Sequence, residues 1–252
     1  MSLSPIARVL STIRGRRVQS LLMGGQACIL YGAAEFSRDA DLAVFASRDN
    51  LENLSDALSD LAAEVVAVPP FEIEYLERGH AVHFRCRHPD LRGVRLDIMT
   101  RMRGVDPFPD LWERRTTFPI PEGLDVEAMS LPDLVASKKT QRDKDWPMIR
   151  RLVEANYEQF FAEPGEERVR FWLEELRTPE LLVECASRFA DAAGRTAAKR
   201  PAVAAALFGD EAETALHLEK ERAREMETDR AYWVPLRAEL EALRRERRRK
   251  TR

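Results

Sequence analysis

Long apolar runs are missing from this chain. No stretch approaches the roughly 20 apolar residues that a bilayer-spanning helix needs, so no membrane partner is expected. The N-terminal segment MSLSPIARVLSTIRGRR has no uninterrupted apolar core and no cleavage site, and does not read as a signal peptide. Cysteine is scarce. Cys28, Cys86 and Cys185 are odd in number and lack the spacing of a disulfide framework or a zinc site, which makes a reducing cytoplasm the expected home. An excess of one charge is absent too: 40 Lys and Arg face 43 Asp and Glu, for a net charge of −3. That balance does not mark the whole chain as a nucleic-acid binder. There is no internal repeat. What remains is 252 residues, 44% hydrophobic and 33% charged, enough for one sizeable core with an appendage or two modest ones.

The most informative stretch is Leu21 to Phe45, LLMGGQACILYGAAEFSRDADLAVF. An apolar run ends in Gly24-Gly25, a short apolar segment follows, and Asp39-Ala40-Asp41 opens a second apolar run. The periodicity predicts strand, glycine turn, helix (Gln26 to Ala34) and strand. Glycines let the backbone turn tightly and leave N–H groups open to phosphate. Asp39 and Asp41 stand two apart on an extended segment, so both carboxylates share one face. A paired-carboxylate face beside such a turn suits a magnesium nucleotide site. Each piece alone has an ordinary reading, as a turn or as a strand end.

Taken together, Met23-Gly24-Gly25, thirteen intervening residues and Asp39-Ala40-Asp41-Leu42 resemble the signature of the DNA polymerase β-like nucleotidyltransferase superfamily. The resemblance implies a third carboxylate on a later strand, and Asp97 in VRLDIM is placed for it. It implies two Mg²⁺ ions held by Asp39, Asp41 and Asp97, with an NTP as substrate and transfer of NMP to a hydroxyl. Gly24 and Gly25 would cradle phosphate, and Ser37 matches a hydroxyl position ahead of the aspartates. Glu35 departs from the pattern, since an arginine is common there. The segment LVASKKTQRDKDWPMIRRL is similar to the Lys…Arg-x-Lys-Asp helix of AbiEii-type relatives, which include toxins of toxin–antitoxin pairs. By that likeness Lys138 and Arg142 would steady the triphosphate, RNA, tRNA or protein would be the acceptor, and an antitoxin would be a partner. Met148 departs from the AbiEii pattern where a second aspartate is common. Antibiotic-modifying transferases share the glycine and aspartate motif, so an aminoglycoside-type acceptor stays open, as does a non-catalytic, antitoxin-like nucleotide-binding module.

The rest of the chain supports an α+β fold: a small mixed β-sheet flanked by helices over residues 1–129, then an all-α region over 130–252. Pro5 to Ile13 and Asp49 to Glu64 carry helical stripes, the second capped by Asp49 or Asn50. Ala81–Arg87 and Val94–Thr100 alternate around a turn at 88–93, which predicts a hairpin. His80 and His83, three apart on an extended segment, would fall on opposite faces, a poor metal pair; His83 and Arg85 share the face beside Asp97, where packing or surface placement competes with a role in the site. Residues 106–122, rich in proline and aromatics, read as a loop, and 125–129 as a short strand. Ser130 and Asp133 form a capping box. The helix they open is expected to continue its inward stripe onto Lys138 and Arg142, with a solvated basic face as the alternative. The terminal RRERRRKTR has no interleaved aromatic and reads as a solvated helix tip, with a basic tail for RNA as the alternative.

Overall fold

The structure, a computed structural model, describes residues 3–34, 36–91, 93–121 and 123–250. Glu35, Arg92, Glu122 and the last two residues of the basic tail lie outside them. Two compact units divide the chain. One comprises Met1–Leu30, Ala34–Ser137 and Tyr232–Arg252; the other comprises Tyr31–Ala33 and Lys138–Ala231. This division falls after residue 137, where the sequence suggested 129, and it assigns the last twenty-one residues to the first unit.

The first unit is built on a mixed seven-stranded sheet. Its strands are β1 (Ser20–Met23), β2 (Asp39–Val44), β3 (Ala63–Val65), β4 (Val82–Cys86), β5 (Arg95–Met99), β6 (Thr116–Ile120) and β7 (Leu124–Ala128), in the order β3-β4-β5-β2-β1-β7-β6. β2 and β5 run parallel, as do β1 and β7, and the other neighbours are antiparallel. Period-two alternation sets the register. Ala40 and Leu42 pair with Leu96 and Ile98, which in turn face Phe84 and Val82, and all six are buried. Fully burying a side chain of this size contributes about 1.5–3 kcal/mol, so a one-residue slip would be prohibitive. The opposite face of the same three strands carries Asp39, Asp41, Arg95, Asp97, His83 and Arg85.

The first unit's helices include α1 (Pro5–Gly15), α2 (Gly24–Leu30), α3 (Arg48–Asp60), α4 (Ile73–Arg78), α5 (Phe108–Glu113) and α6 (Leu131–Ser137). Helix α2 is shorter than expected, ending at Leu30, and buries Ala27 and Cys28. Helix α3 is capped by Ser47, whose Oγ accepts from Asn50 N at 3.3 Å. Asn50, expected to cap, is instead buried and bonds Gln19 N, Gln19 O and Phe45 O, tying the approach to β1 to the exit from β2. The 106–122 segment is not a loop: it forms α5 and the edge strand β6, where Pro119 is tolerated because an edge leaves one side unpaired. The hairpin of β4 and β5 and the strand at 124–128 are as expected.

The second unit is helical: α7 (Asp145–Phe160), α8 (Glu166–Glu175), α9 (Pro179–Arg188), α10 (Ala190–Ala197), α11 (Pro201–Leu207) and the α12 residues up to 231, α12 as a whole spanning Glu211–Lys250. Its core includes Trp146, Leu152, Trp172, Leu173 and Leu182. Buried Arg200 donates Nη1 to Leu173 O at 2.7 Å and Nη2 to Leu176 O at 2.8 Å, satisfying carbonyls that the end of α8 leaves open. Glu221 balances its charge at 3.1 Å. Burial, with the nearby Arg177 charge, pulls its pKa below the usual arginine value.

Candidate active site

Strand register assembles the acidic face. Asp41 on β2 lies directly opposite Asp97 on β5, and Asp39 lies opposite Arg95. Parallel neighbours are about 4.8 Å apart, so three carboxylates meet on one patch. Two carboxylates about 4 Å apart repel by roughly 4 kcal/mol at an effective dielectric near 20. A cation among them offsets that cost. The guanidinium of Arg95 stands 3.8 Å from Asp39 Oδ2 and 3.5 Å from Asp97 Oδ2.

His83 on β4 faces Asp97 across the hairpin. Its Nδ1 lies 2.8 Å from Asp97 Oδ1, an ion-pair distance reached without hydrogen-bond alignment. His83 therefore belongs to the site, while Arg85, one strand position pair away, is exposed and lies opposite Arg95 instead. His80 is buried and its Nε2 meets Glu239 Oε2 at 2.6 Å, so the two histidines serve different places, as their spacing implied.

The glycine turn packs against this face. Met23 pairs with Asp41, and Gly24 follows with φ +66°, a left-handed conformation that favours glycine. A Cβ on Gly24 would fall 1.8 Å from Asp41 Oδ2. A Cβ on Gly25 would fall 2.6 Å from Ser37 Oγ. Ser37 Oγ donates to Asp39 O at 3.3 Å, and Gln26 Nε2 donates to Ser37 O at 2.8 Å. The first turn of α2 and the segment leading into β2 are thus locked together around the two aspartates.

Lys138 and Arg142 fall in the other unit, and the stripe expected to carry them does not form. Helix α6 keeps its capping box, with Asp133 N donating to Ser130 Oγ at 3.3 Å, but it ends at Ser137. Side-chain bonds compete with the helix there. Thr140 Oγ1 donates to Asp145 Oδ2 at 2.5 Å and accepts from Arg142 N at 3.1 Å, while Trp146 Nε1 donates to Thr140 O at 2.9 Å. Arg142 is exposed and its Nε donates to Asp145 at 2.7 Å. Asp145 then opens α7, so Pro147 sits in the first turn of a fresh helix, where proline is tolerated.

Arg95 and Gln26 escaped the sequence reading. Arg95 was findable, since it stands two residues before Asp97 on an alternating strand and must share its face. Gln26 carried no signal, because its role depends on where the chain returns at Ser37.

Carboxylate oxygens are the donors that magnesium prefers, and the register fits such an ion. Asp39 and Asp97 as they stand are turned to Arg95, and Asp97 also to His83, and among the described residues no three His, Cys, Asp or Glu side chains form a ready-made metal cluster. No described helix is long and apolar enough to cross a membrane.

The sequence matches no protein-family model and no curated protein. Among solved structures it is similar to a Helicobacter pylori protein provisionally described as a nucleotidyltransferase, at 14% identity over 90% of this chain and 94% of that one, with a TM-score of 0.38. A second Helicobacter pylori structure, JHP933, aligns at 13% identity over 93% and 94%, with a TM-score of 0.37. Scores of this size carry no argument about fold or activity, so the functional reading rests on the chain's own residues.

Proposed function

We propose that this chain is a nucleotidyltransferase that moves NMP from an NTP to an acceptor hydroxyl. One observation carries the reading: the register that sets Asp41 against Asp97, with Asp39 on the same face and Gly24 pressed against Asp41. Asp39, Asp41 and Asp97 would hold the divalent ions, which when bound neutralise the carboxylates and polarise the phosphate. Asp97 receives the proton of the acceptor hydroxyl, and the His83 imidazole stands beside its Oδ1 at 2.8 Å. The hydroxyl oxygen bonds to the α-phosphorus while the bond from that phosphorus to the bridging oxygen breaks, and pyrophosphate leaves. Ser37 and Gly25 shape the phosphate side of the face; Lys138 and Arg142 are proposed triphosphate contacts on the AbiEii likeness alone. That likeness also supports RNA, tRNA or protein as acceptor and a toxin role with a cognate antitoxin.

Incubation with each α-labelled NTP and Mg²⁺, against separate pools of RNA, protein and aminoglycoside, tests the reading. Label in one pool, lost in Asp97→Asn, is expected and names the acceptor. Label that persists in Asp97→Asn removes Asp97 from the chemistry.

A further inference from the structure

Helix α12 ends in a cluster of one charge sign. Arg244–Lys250, about two turns, holds six basic residues and one acidic, or +5 in a chain of net −3, so the remaining residues net −8. All seven are exposed. The part of α12 that leads to them is anchored. Leu236 is buried, Tyr232 lies against Gly79, and Glu239 meets His80 Nε2 at 2.6 Å and Arg78 Nη2 at 2.9 Å. The unit that carries the acidic face therefore also holds this cluster.

A solvated helix tip needs less charge than this. Cations in the last turn, Arg247–Lys250, complement the helix dipole, but Arg244 and Arg245 precede that turn, where the effect has faded. Carboxylates cover only part of the cluster: Glu241 stands 3.7 Å from Arg245 Nη2, and Glu246 takes Lys250 Nζ at 2.7 Å. Arg244, Arg248 and Arg249 stand in no ion pair among the described residues. Arg244 with Arg248, and Arg245 with Arg249, are like-charge pairs four apart, which destabilise a helix on its own. A polyanion relieves that repulsion, and guanidinium forks match phosphate oxygens in pairs. A membrane is the poorer partner, because the segment has no apolar residue to enter a bilayer interface.

We propose that Arg244–Lys250 is a docking surface for the phosphate backbone of RNA. The choice of RNA over other polyanions rests on the transfer reading: among the acceptors it leaves open RNA is the polyanion, while an aminoglycoside is itself cationic and would be repelled. With no aromatic in the segment to stack on bases, binding is carried by phosphate contacts and follows salt. Fluorescence anisotropy of the full chain with a labelled RNA hairpin, in chelator and over a salt series, tests it. Arg244→Gln/Arg248→Gln/Arg249→Gln should weaken binding about tenfold or more at low salt and reduce the slope of log K against log salt by about 2–3. Its melting temperature should hold or rise, since like charges are removed. A charge-matched variant at exposed positions of the second unit, Arg170→Gln/Arg195→Gln/Lys199→Gln, should bind as wild type does. Chelator keeps the metal-dependent chemistry out of this readout. RNA bound but never labelled supports the surface and overturns the transfer reading; label on another pool with no RNA bound does the reverse. Equal loss in the two triple variants, an unchanged slope in the first, or tighter binding to a DNA hairpin of the same sequence or to phosphatidylserine vesicles would also overturn the proposal.

Discussion

Arg95 holds the place between Asp39 and Asp97 that a divalent ion would need. The pair is about two-fifths exposed on the arginine side, so its strength is modest. Arg95→Ala should therefore raise Mn²⁺ affinity by about two- to fivefold, the range of an exposed ion pair; titration calorimetry that finds weaker or unchanged affinity would count against competition at this face. The three aspartates were legible because a motif of fixed spacing and a period-two strand both point to one side. Their companions were legible only in part: alternation gives His83 and Arg95 the right face, while the pairing partner of each strand is a tertiary fact. Cys185 makes a different prediction. Burial, reinforced by the Glu184 charge, pushes its thiol up to about 12 from an ordinary 9.0. Between those values the unfolded chain has lost the proton that the native one keeps, so its stabilising contribution is full below pH 9 and falls as pH rises towards 12. Cys185→Ala should flatten the decline in urea midpoint over that window; an unchanged slope would sink the assignment.

At the scale of elements, the glycine turn separates backbone strain from contact. Gly24 and Gly104 both have positive φ, at +66° and +70°, but only Gly24 presses on Asp41, and a Cβ at Gly104 meets open space. Alanine at either should cost about 1–2 kcal/mol from the left-handed conformation, seen as a lower melting temperature. Gly24→Ala alone should also lose divalent-ion binding; loss in both, or in neither, would contradict the contact. Arg200→Ala should destabilise by about 3 kcal/mol, because it leaves the Leu173 and Leu176 carbonyls at the end of α8 without a donor and Glu221 with Arg177 alone. A shift below one degree would mean that water replaces it. Elements with strong periodicity, such as α1, β4, β5 and α3, were legible in the sequence. The α6–α7 break was not, because Thr140, Asp145 and Trp146 close a side-chain network that no single window reveals. Likewise α5 and β6 hide behind prolines that an edge strand and a helix start both accept.

For the molecule as a whole, the α+β class and the helical C-terminal region follow from pattern, but the division of the chain does not. Tyr232–Arg252 returns to the first unit, where Glu239 meets buried His80 and Arg78, and a charged helix gives no sequence sign of that. The acidic face binding Mg·NTP is the central claim, and the measurement that tests it most directly is the magnesium-dependent shift in melting temperature with NTP. A ligand at a hundred times its Kd stabilises by about 2.7 kcal/mol, which for a chain of this size is roughly 5–11 °C. Wild type should show that shift with Mg·NTP beyond whatever NTP gives in chelator, and Asp41→Asn should show none of the magnesium-dependent part. Equal magnesium-dependent shifts in the two proteins would place the nucleotide elsewhere and contradict the claim.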